Sequence, residues 1–335
     1  MNLQATAAFC IPYYGQFPTY MGLFLQSCAY NPSVHFLIFT ENPPHPAAQN
    51  APNIHFIHYP YQQLIAKANQ TIGIAMQLGD VHKICDLKAF YGLLFAEYLQ
   101  NYAFWGYCDV DVIFGDLSKV INPTFLQEVD IFSAQSSRIV GHFCLLRNTQ
   151  TINNLPFLIP DHREKLEKVL TNTFLDEKSF TTTLTQQTHI RWRKTKDINT
   201  ELHEDFIYSH LTFNYQERIS EMTTSNGKEW VHWQDGKLYF HHAQGQTEAL
   251  YFHFMAMKLP IYWQQLAKNK HYSSFYLSAI GFSTAMPDWT KSKNIVLKYR
   301  ITLLIRSKAW LGKILTRFFS KSTKRKITLF IKKLW

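Results

Sequence analysis

Phe104-Trp105-Gly106-Tyr107-Cys108-Asp109-Val110-Asp111-Val112-Ile113-Phe114-Gly115-Asp116 is the stretch on which the rest of the chain turns. Phe104 to Val110 reads as a buried strand, and its C-terminal end delivers two carboxylates one residue apart. Ligands of open α/β sheets collect at that end of the strands. Side chains at i and i+2 face one cleft only while the backbone stays extended. Hard oxygen donors of this kind suit Mg²⁺ or Mn²⁺, and such a cation in turn holds a diphosphate. An acidic turn closing a strand is the plainer alternative, since D-x-D alone is common.

On the N-terminal side, Thr6 to Pro12, Val34 to Thr40 and Ile54 to Tyr59 read as further strands. Tyr20 to Ala29 has helical spacing between them, and Leu87, Phe90, Leu94 and Tyr98 predict one helix over Cys85 to Asn101. A Tyr13-Tyr14-Gly15 loop follows the first strand, and Glu41 to Pro52 is a proline-rich connection. Strands alternating with helices predict an α/β fold with a mostly parallel sheet flanked by helices. After about residue 150 the pattern loosens. Asp161 to Thr173 and Glu201 to Leu211 read as helical, and Glu229 to Phe240 as a hairpin turning at Asp235-Gly236. With no linker visible before residue 290, residues 1–290 are expected to form one catalytic unit, divided into a 1–150 half and a 151–290 half.

Composition narrows the function classes. The chain has 335 residues, 46% hydrophobic and 17% charged, as expected of a globular enzyme. Its net charge of +10 belongs to the tail: residues 291–335 carry 14 Lys or Arg and no acid, leaving the body mildly acidic. An acidic body disfavours a nucleic-acid enzyme, which needs a basic groove. Five scattered cysteines without a C-x-x-C pair argue against a disulfide framework and a structural zinc site. No basic leader precedes the first apolar run and no apolar stretch is long enough to span a bilayer, so a cytoplasmic location is expected.

Two further segments bear on the acidic pair. Tyr251-Phe252-His253-Phe254 is a strand that delivers a histidine, with Lys258 five residues on. Imidazole is an acceptable third ligand for Mn²⁺, and a nearby ammonium neutralises departing phosphate charge. A lone core histidine is the competing reading. In Val81 to Gly92, Lys83, Asp86 and Lys88 open a helix about twenty residues before the D-x-D, where Asp86 could equally be a cap. Neither G-x-G-x-x-G nor a P-loop occurs, so a nucleotide would have to be held through metal.

With these elements in hand, the sequence resembles metal-dependent GT-A glycosyltransferases over roughly residues 5–265. It is most similar to an uncharacterised bacterial glycosyltransferase-like family. The matching motifs are Lys83-Ile84-Cys85-Asp86-Leu87-Lys88, Phe104 to Asp111, Gly141-His142-Phe143 and Arg147-Asn148. More distantly it resembles glycogenin-type enzymes and D-x-D mannosyltransferases. The resemblance implies a Rossmann-like GT-A sheet, Mn²⁺ or Mg²⁺ on Asp109, Asp111 and His253, and a nucleotide-sugar donor, UDP-linked. It further implies Asp86 against the donor sugar, with Lys83, Lys88 and Lys258 as donor contacts, and Tyr13 beside the base. Lys88 stands where relatives have Arg, and Lys258 one residue early. The resemblance leans to retention of configuration. An inverting course would need a base, for which Glu204 and Asp205 are the candidates; ordinary helix N-terminal acids are the alternative. His142 and Arg147 belong near the sugar or in the sheet behind it.

In the tail, Leu297, Ile301, Leu304, Leu311, Leu315 and Phe318 share one helical face, with Lys298, Arg306, Lys313 and Arg317 largely opposite. Residues 291–335 therefore read as a basic amphipathic helix on an anionic membrane surface, the inner face of the cytoplasmic membrane, with packing on the body or RNA as alternatives. A glycan or lipid-linked acceptor of cell-surface polysaccharide or lipopolysaccharide synthesis fits such an anchor. The rivals are a haloacid-dehalogenase-type phosphohydrolase and a non-catalytic membrane-tethered glycan-binding protein. In the former, the place taken here by Ile113 holds Thr or Val and the motif lies near the N-terminus.

Overall fold

The computed structural model describes residues 6–133, 138–168, 172–194, 208–209, 230–242, 245–254, 260–267, 270–278 and 281–287. The chain divides into two units, Met1–Met286 and Pro287–Trp335, and the elements below lie in the first. Its strands are β1 (Ala7–Pro12), β2 (Val34–Thr40), β3 (Ile54–His58), β4 (Phe104–Cys108), β5 (Val112–Phe114), β6 (Ile131–Ser133), β7 (Phe143–Arg147) and β8 (Trp192–Lys194). The remainder are β9 (Tyr208–Ser209), β10 (Trp230–Gln234), β11 (Lys237–His242), β12 (Gly245–Ala249), β13 (Tyr251–His253), β14 (Ser274–Ser278) and β15 (Gly281–Ser283).

Seven strands form the central sheet, in the order β3-β2-β1-β4-β7-β6-β8. β3, β2, β1 and β4 run parallel, β7 is antiparallel to β4 and β6, and β8 is parallel to β6. The fold is the α/β class expected, with a mainly parallel sheet. Its central strands are near-continuous apolar runs because both faces are covered. On β1, Ala8 and Cys10 enter one core with Leu64, Ile65, Ala68 and Ile72 of α2 (Tyr61–Ile72). Ala7, Phe9 and Ile11 enter the other with Met21, Phe24 and Leu25 of α1 (Met21–Ala29). Gly106 lets β4 lie tightly against its neighbours, since a Cβ there would stand 2.5 Å from the Cys144 carbonyl oxygen and 2.8 Å from the Phe9 ring.

A second sheet of five antiparallel strands, β12-β11-β10-β14-β15, includes the expected hairpin. Asp235 and Gly236 take the positive φ values, 45° and 84°, that a tight two-residue turn needs. Trp233 of this hairpin donates its indole N–H to the Phe114 carbonyl at 2.9 Å, tying the second sheet to β5. A third ladder, β5-β13-β9, pairs His253 with Val112.

Three helical expectations need correction. In place of one helix over Cys85 to Asn101, a 3₁₀ segment spans Val81–Phe90, followed by single α turns at Tyr91–Leu94 and Ala96–Leu99. Three residues per turn bring Lys83 and Asp86 onto one line, and their side chains meet at 2.7 Å. The segment is capped by Asp80, which accepts from the His82 N–H, not by Asp86. Of Asp161 to Thr173, only His162–Glu167 is helical among the described residues. Tyr208 and Ser209 pair with β13 as a strand, where a helix was expected; the rest of Glu201 to Leu211 lies outside the described residues. Among the described residues, no helix is long and apolar enough to cross a membrane.

Candidate metal centre and cleft

β4 stops at Cys108, the chain bends through Asp109, Val110 and Asp111, and β5 resumes at Val112. The acidic pair therefore lies just beyond the strand end, at the mouth of a cleft of about 300 Å³. Tyr13, Tyr14 and Tyr20 line the cleft with Lys88, Asp109 and Asp111. Asp111 is buried, while the Asp109 side chain is 34% exposed. Two backbone hydrogen bonds fix the bend: Asp109 N–H donates to the His142 carbonyl at 3.3 Å, and Phe254 N–H to the Asp111 carbonyl at 3.0 Å.

The β5–β13 pairing carries His253 to the same place. Ligand atoms of Asp109, Asp111 and His253 all lie within 4.8 Å of one another, with His253 Nε2 3.4 Å from Asp111 Oδ2. His253 is buried, and neither ring nitrogen makes a hydrogen bond to the described residues. Leaving both nitrogens unsatisfied is costly unless a ligand completes them. The His142 ring stacks on it, centroids 4.2 Å apart and 16° from parallel, which fixes its plane. Two carboxylates and one imidazole form a donor set that fits Mn²⁺ or Mg²⁺.

Lys88 supplies the positive charge beside this set. Its ammonium donates to Asp109 Oδ1 at 2.6 Å and to the Gly141 carbonyl at 2.8 Å. Burial alone would lower its pKa, but the Asp109 charge holds it well above the ordinary value. Gly141 is wedged: a Cβ would stand 2.9 Å from Asp176 Oδ2, 3.1 Å from Glu177 Oε1 and 3.4 Å from Lys88 Nζ. Glu177 accepts the Gly141 N–H at 2.8 Å. Burial pushes the Asp176 carboxyl up to about 7 despite the pull of Lys88. Cys10, Cys85 and Cys108 also line the cleft, and burial raises all three thiols, Cys85 to about 11. They are protonated at neutral pH and unsuited to be nucleophiles.

Of the residues expected from sequence, Asp109, Asp111 and His253 come together, and Tyr13 and Lys88 line the adjoining cleft. Asp86 and Lys83 do not line it. Asp86 is fully buried and accepts from Lys83 at 2.7 Å, from Thr173 N–H at 3.0 Å and from Leu175 N–H at 3.1 Å. Lys83 also donates to the Lys165 carbonyl at 2.6 Å. The pair braces the 172–175 loop, its bonds directed away from the residues that line the cleft. Glu204, Asp205 and Lys258 lie outside the described residues. His142 stacks on His253 of the candidate metal centre, whereas Arg147 ends β7 in the sheet, bonded to Asp130 at 2.9 Å and packed over the Phe104 ring. Asp176 and Glu177 carry no local signal in the sequence; the Asp86 bonds to residues 173 and 175, the Gly141–Glu177 bond and the burial of Leu175 and Phe180 bring them here.

Several solved structures are similar to the chain. One is described as a galactosyltransferase, LgtC, in complex with donor and acceptor sugar analogues: 11% identity, 65% of this chain and 78% of that one covered, TM-score 0.38. An active-site mutant of LgtC is similar at 10% identity over 74% of this chain and 87% of that one, TM-score 0.39. The glycosyltransferase GlyE of Streptococcus pneumoniae TIGR4 is similar at 15% identity over 58% of this chain and 46% of that one, TM-score 0.32. Among curated proteins none matches the sequence. The profile of a family described as of unknown function, DUF6625, matches residues 9–284, and the chain belongs to that family.

Proposed function

We propose that this protein is a metal-dependent glycosyltransferase that moves a sugar from a nucleotide-diphosphate donor, UDP-linked, to a glycan or lipid-linked acceptor. The observation that carries the reading is the convergence of Asp109, Asp111 and His253 within 4.8 Å beside a tyrosine-lined cleft. Mn²⁺ or Mg²⁺ held by these three residues would supply charge neutralisation for a leaving diphosphate. Lys88, fully ionised beside Asp109, adds a second positive group that needs no rearrangement to act. Tyr13, at the end of β1, offers a ring against which a base can stack, worth on the order of 1–3 kcal/mol. With its thiols protonated, the cleft acts by positioning and electrostatics more than by nucleophilic attack. Retention of the donor configuration is the course we favour. If the course inverts, Glu204 or Asp205 would serve as base.

Residues 291–335, with 14 basic side chains and no acid, are proposed to attach the enzyme to an anionic membrane surface. That location suits cell-surface polysaccharide or lipopolysaccharide synthesis at the inner face of the cytoplasmic membrane.

Calorimetric titration with UDP, with and without Mn²⁺, tests the reading. Metal-dependent binding that disappears in Asp111→Asn is expected. Metal-dependent phosphatase turnover without UDP binding would instead assign a phosphohydrolase. For the tail, removal of residues 289–335 should abolish flotation with phosphatidylserine vesicles, and undiminished flotation would refute the anchor.

A further inference from the structure

Tyr20 stands immediately before α1, where a short polar side chain ordinarily accepts from the first free N–H groups of a helix. Its own side chain makes no such bond. It belongs instead to the cleft wall, which Tyr20 lines together with Asp109, Asp111 and Lys88. The residue is only 6% exposed. Phe254, the residue after His253, meets its ring edge-on with centroids 4.9 Å apart, and Trp263 lies at 5.1 Å. These contacts tie the ring to the strand that delivers the imidazole, and a phenylalanine would make them equally well.

Packing does not account for the hydroxyl. Among the described residues it has no hydrogen-bond partner, and it is not one of the polar atoms sealed from solvent. Burial opposes its ionisation most, followed by the charge of Asp111, the Tyr13 hydroxyl and the charge of Asp109, and together they hold its pKa above the ordinary value. The oxygen of Tyr20, and not its ring alone, therefore stands near the acidic pair and carries a proton that none of the described residues accepts. Water can accept that proton in the open cleft; a ligand that expels the water has to replace it, or the donor is left unpaired. An anion held by a cation on Asp109, Asp111 and His253 brings oxygen acceptors to this side of the cleft. A neutral phenol serves such an oxygen without adding a positive charge that would contend with the metal for the carboxylates.

We propose that the Tyr20 hydroxyl donates a hydrogen bond to the diphosphate of the donor nucleotide, a third grip on that group beside the metal and Lys88. This deepens, and rests on, the reading of sugar transfer at Asp109, Asp111 and His253. The bond strengthens as negative charge gathers on the leaving diphosphate, and the rigid seating of the ring means that no rearrangement is needed to make it.

The test uses the full chain, with Mn²⁺, UDP and inorganic pyrophosphate as the probes of a calorimetric titration. Tyr20→Phe keeps the ring against Phe254 and Trp263 and removes only the donor. It should weaken Mn²⁺-dependent binding of UDP and of pyrophosphate by the same factor, about tenfold. Its thermal midpoint should match the wild type, and its Mn²⁺ affinity without nucleotide should stay within about twofold. Unchanged UDP affinity in Tyr20→Phe would overturn the proposal. A loss for UDP without one for pyrophosphate would also overturn it, by moving the hydroxyl to the nucleoside. An equal fall in Mn²⁺ affinity would do the same, by making Tyr20 a support of the metal ligands. A variant that fails to fold would show that the hydroxyl serves the fold, and the proposal would fall with that result too. Absence of Mn²⁺-dependent UDP binding in the wild type would instead sink the transferase reading, and this inference with it.

Discussion

The Lys88 ammonium lies 2.6 Å from Asp109 Oδ1, so one carboxylate of the candidate metal pair already answers to a cation of the protein itself. An incoming divalent ion and Lys88 compete for the same negative charge. Lys88→Met should therefore tighten Mn²⁺ binding in the absence of nucleotide, by about three- to tenfold, and weaken UDP binding in the presence of Mn²⁺ by about tenfold. It should also destabilise the fold by about 1 kcal/mol, a modest loss because the Asp109 carboxylate left behind is 34% exposed and stays in contact with water. Sequential calorimetric titration with Mn²⁺ and then UDP reads both effects. A fall in both affinities would mean that Lys88 merely props the site.

The stacked histidines make separable predictions. His253→Ala removes a proposed ligand and should lower Mn²⁺ affinity by about 100-fold, whereas His142→Phe keeps a ring against His253 and should stay within about threefold. His142→Ala frees the imidazole plane and should fall between them. Titration of free Mn²⁺ by electron paramagnetic resonance gives all three constants, and a loss in His142→Phe equal to that in His253→Ala would refute the orienting role.

Asp130 contributes to stability on the acid side. Burial opposes its ionisation, but hydrogen bonds from Arg191 and Arg147 pull its pKa from the ordinary 3.8 to about 2. Its contribution is fully present above about pH 4 and disappears as the pH falls through about 2. Asp130→Asn should cost about 1–2 kcal/mol at neutral pH and nothing near pH 2, so its stability profile is flatter over that interval. Urea unfolding at a series of pH values checks this; parallel wild-type and variant profiles would contradict it.

Asp176 should act in the opposite sense. Burial raises its pKa from 3.8 to about 7, so the folded state binds this proton more tightly than the unfolded chain. The stability it allows is complete below about pH 4 and declines as the pH rises through about 7. In EDTA, Asp176→Asn should unfold at a higher temperature than wild type above pH 7 and at the same temperature near pH 4. A variant equally displaced at both pH values would show that packing, not charge, is responsible.

Legibility in the sequence followed the range of the interactions. β1, β2 and β4 could be read because strands covered on both faces are unbroken apolar runs, and the β10–β11 turn because Asp235-Gly236 accepts left-handed backbone. Asp109 and Asp111 were visible as a pair because their spacing is local. Residues 81–99 misled because Leu87, Phe90, Leu94 and Tyr98 repeat at helical intervals. What the spacing hides is that Lys83, Asp86 and Lys88 are all buried and each must find a partner. Those partners, Lys165, Thr173, Leu175, Asp109 and Gly141, come from distant parts of the chain. Asp176 and Glu177 were invisible for the same reason.

The pairing of β13 with β5 has a consequence for the order of biosynthesis. The acidic pair leaves the ribosome long before His253, and contacts so far apart in sequence form slowly and late. A nascent or truncated polypeptide ending before β13 would display both acids without the imidazole, leaving the proposed cation site one donor short. On the proposed reading, the third metal-binding group arrives only once β13 has been made.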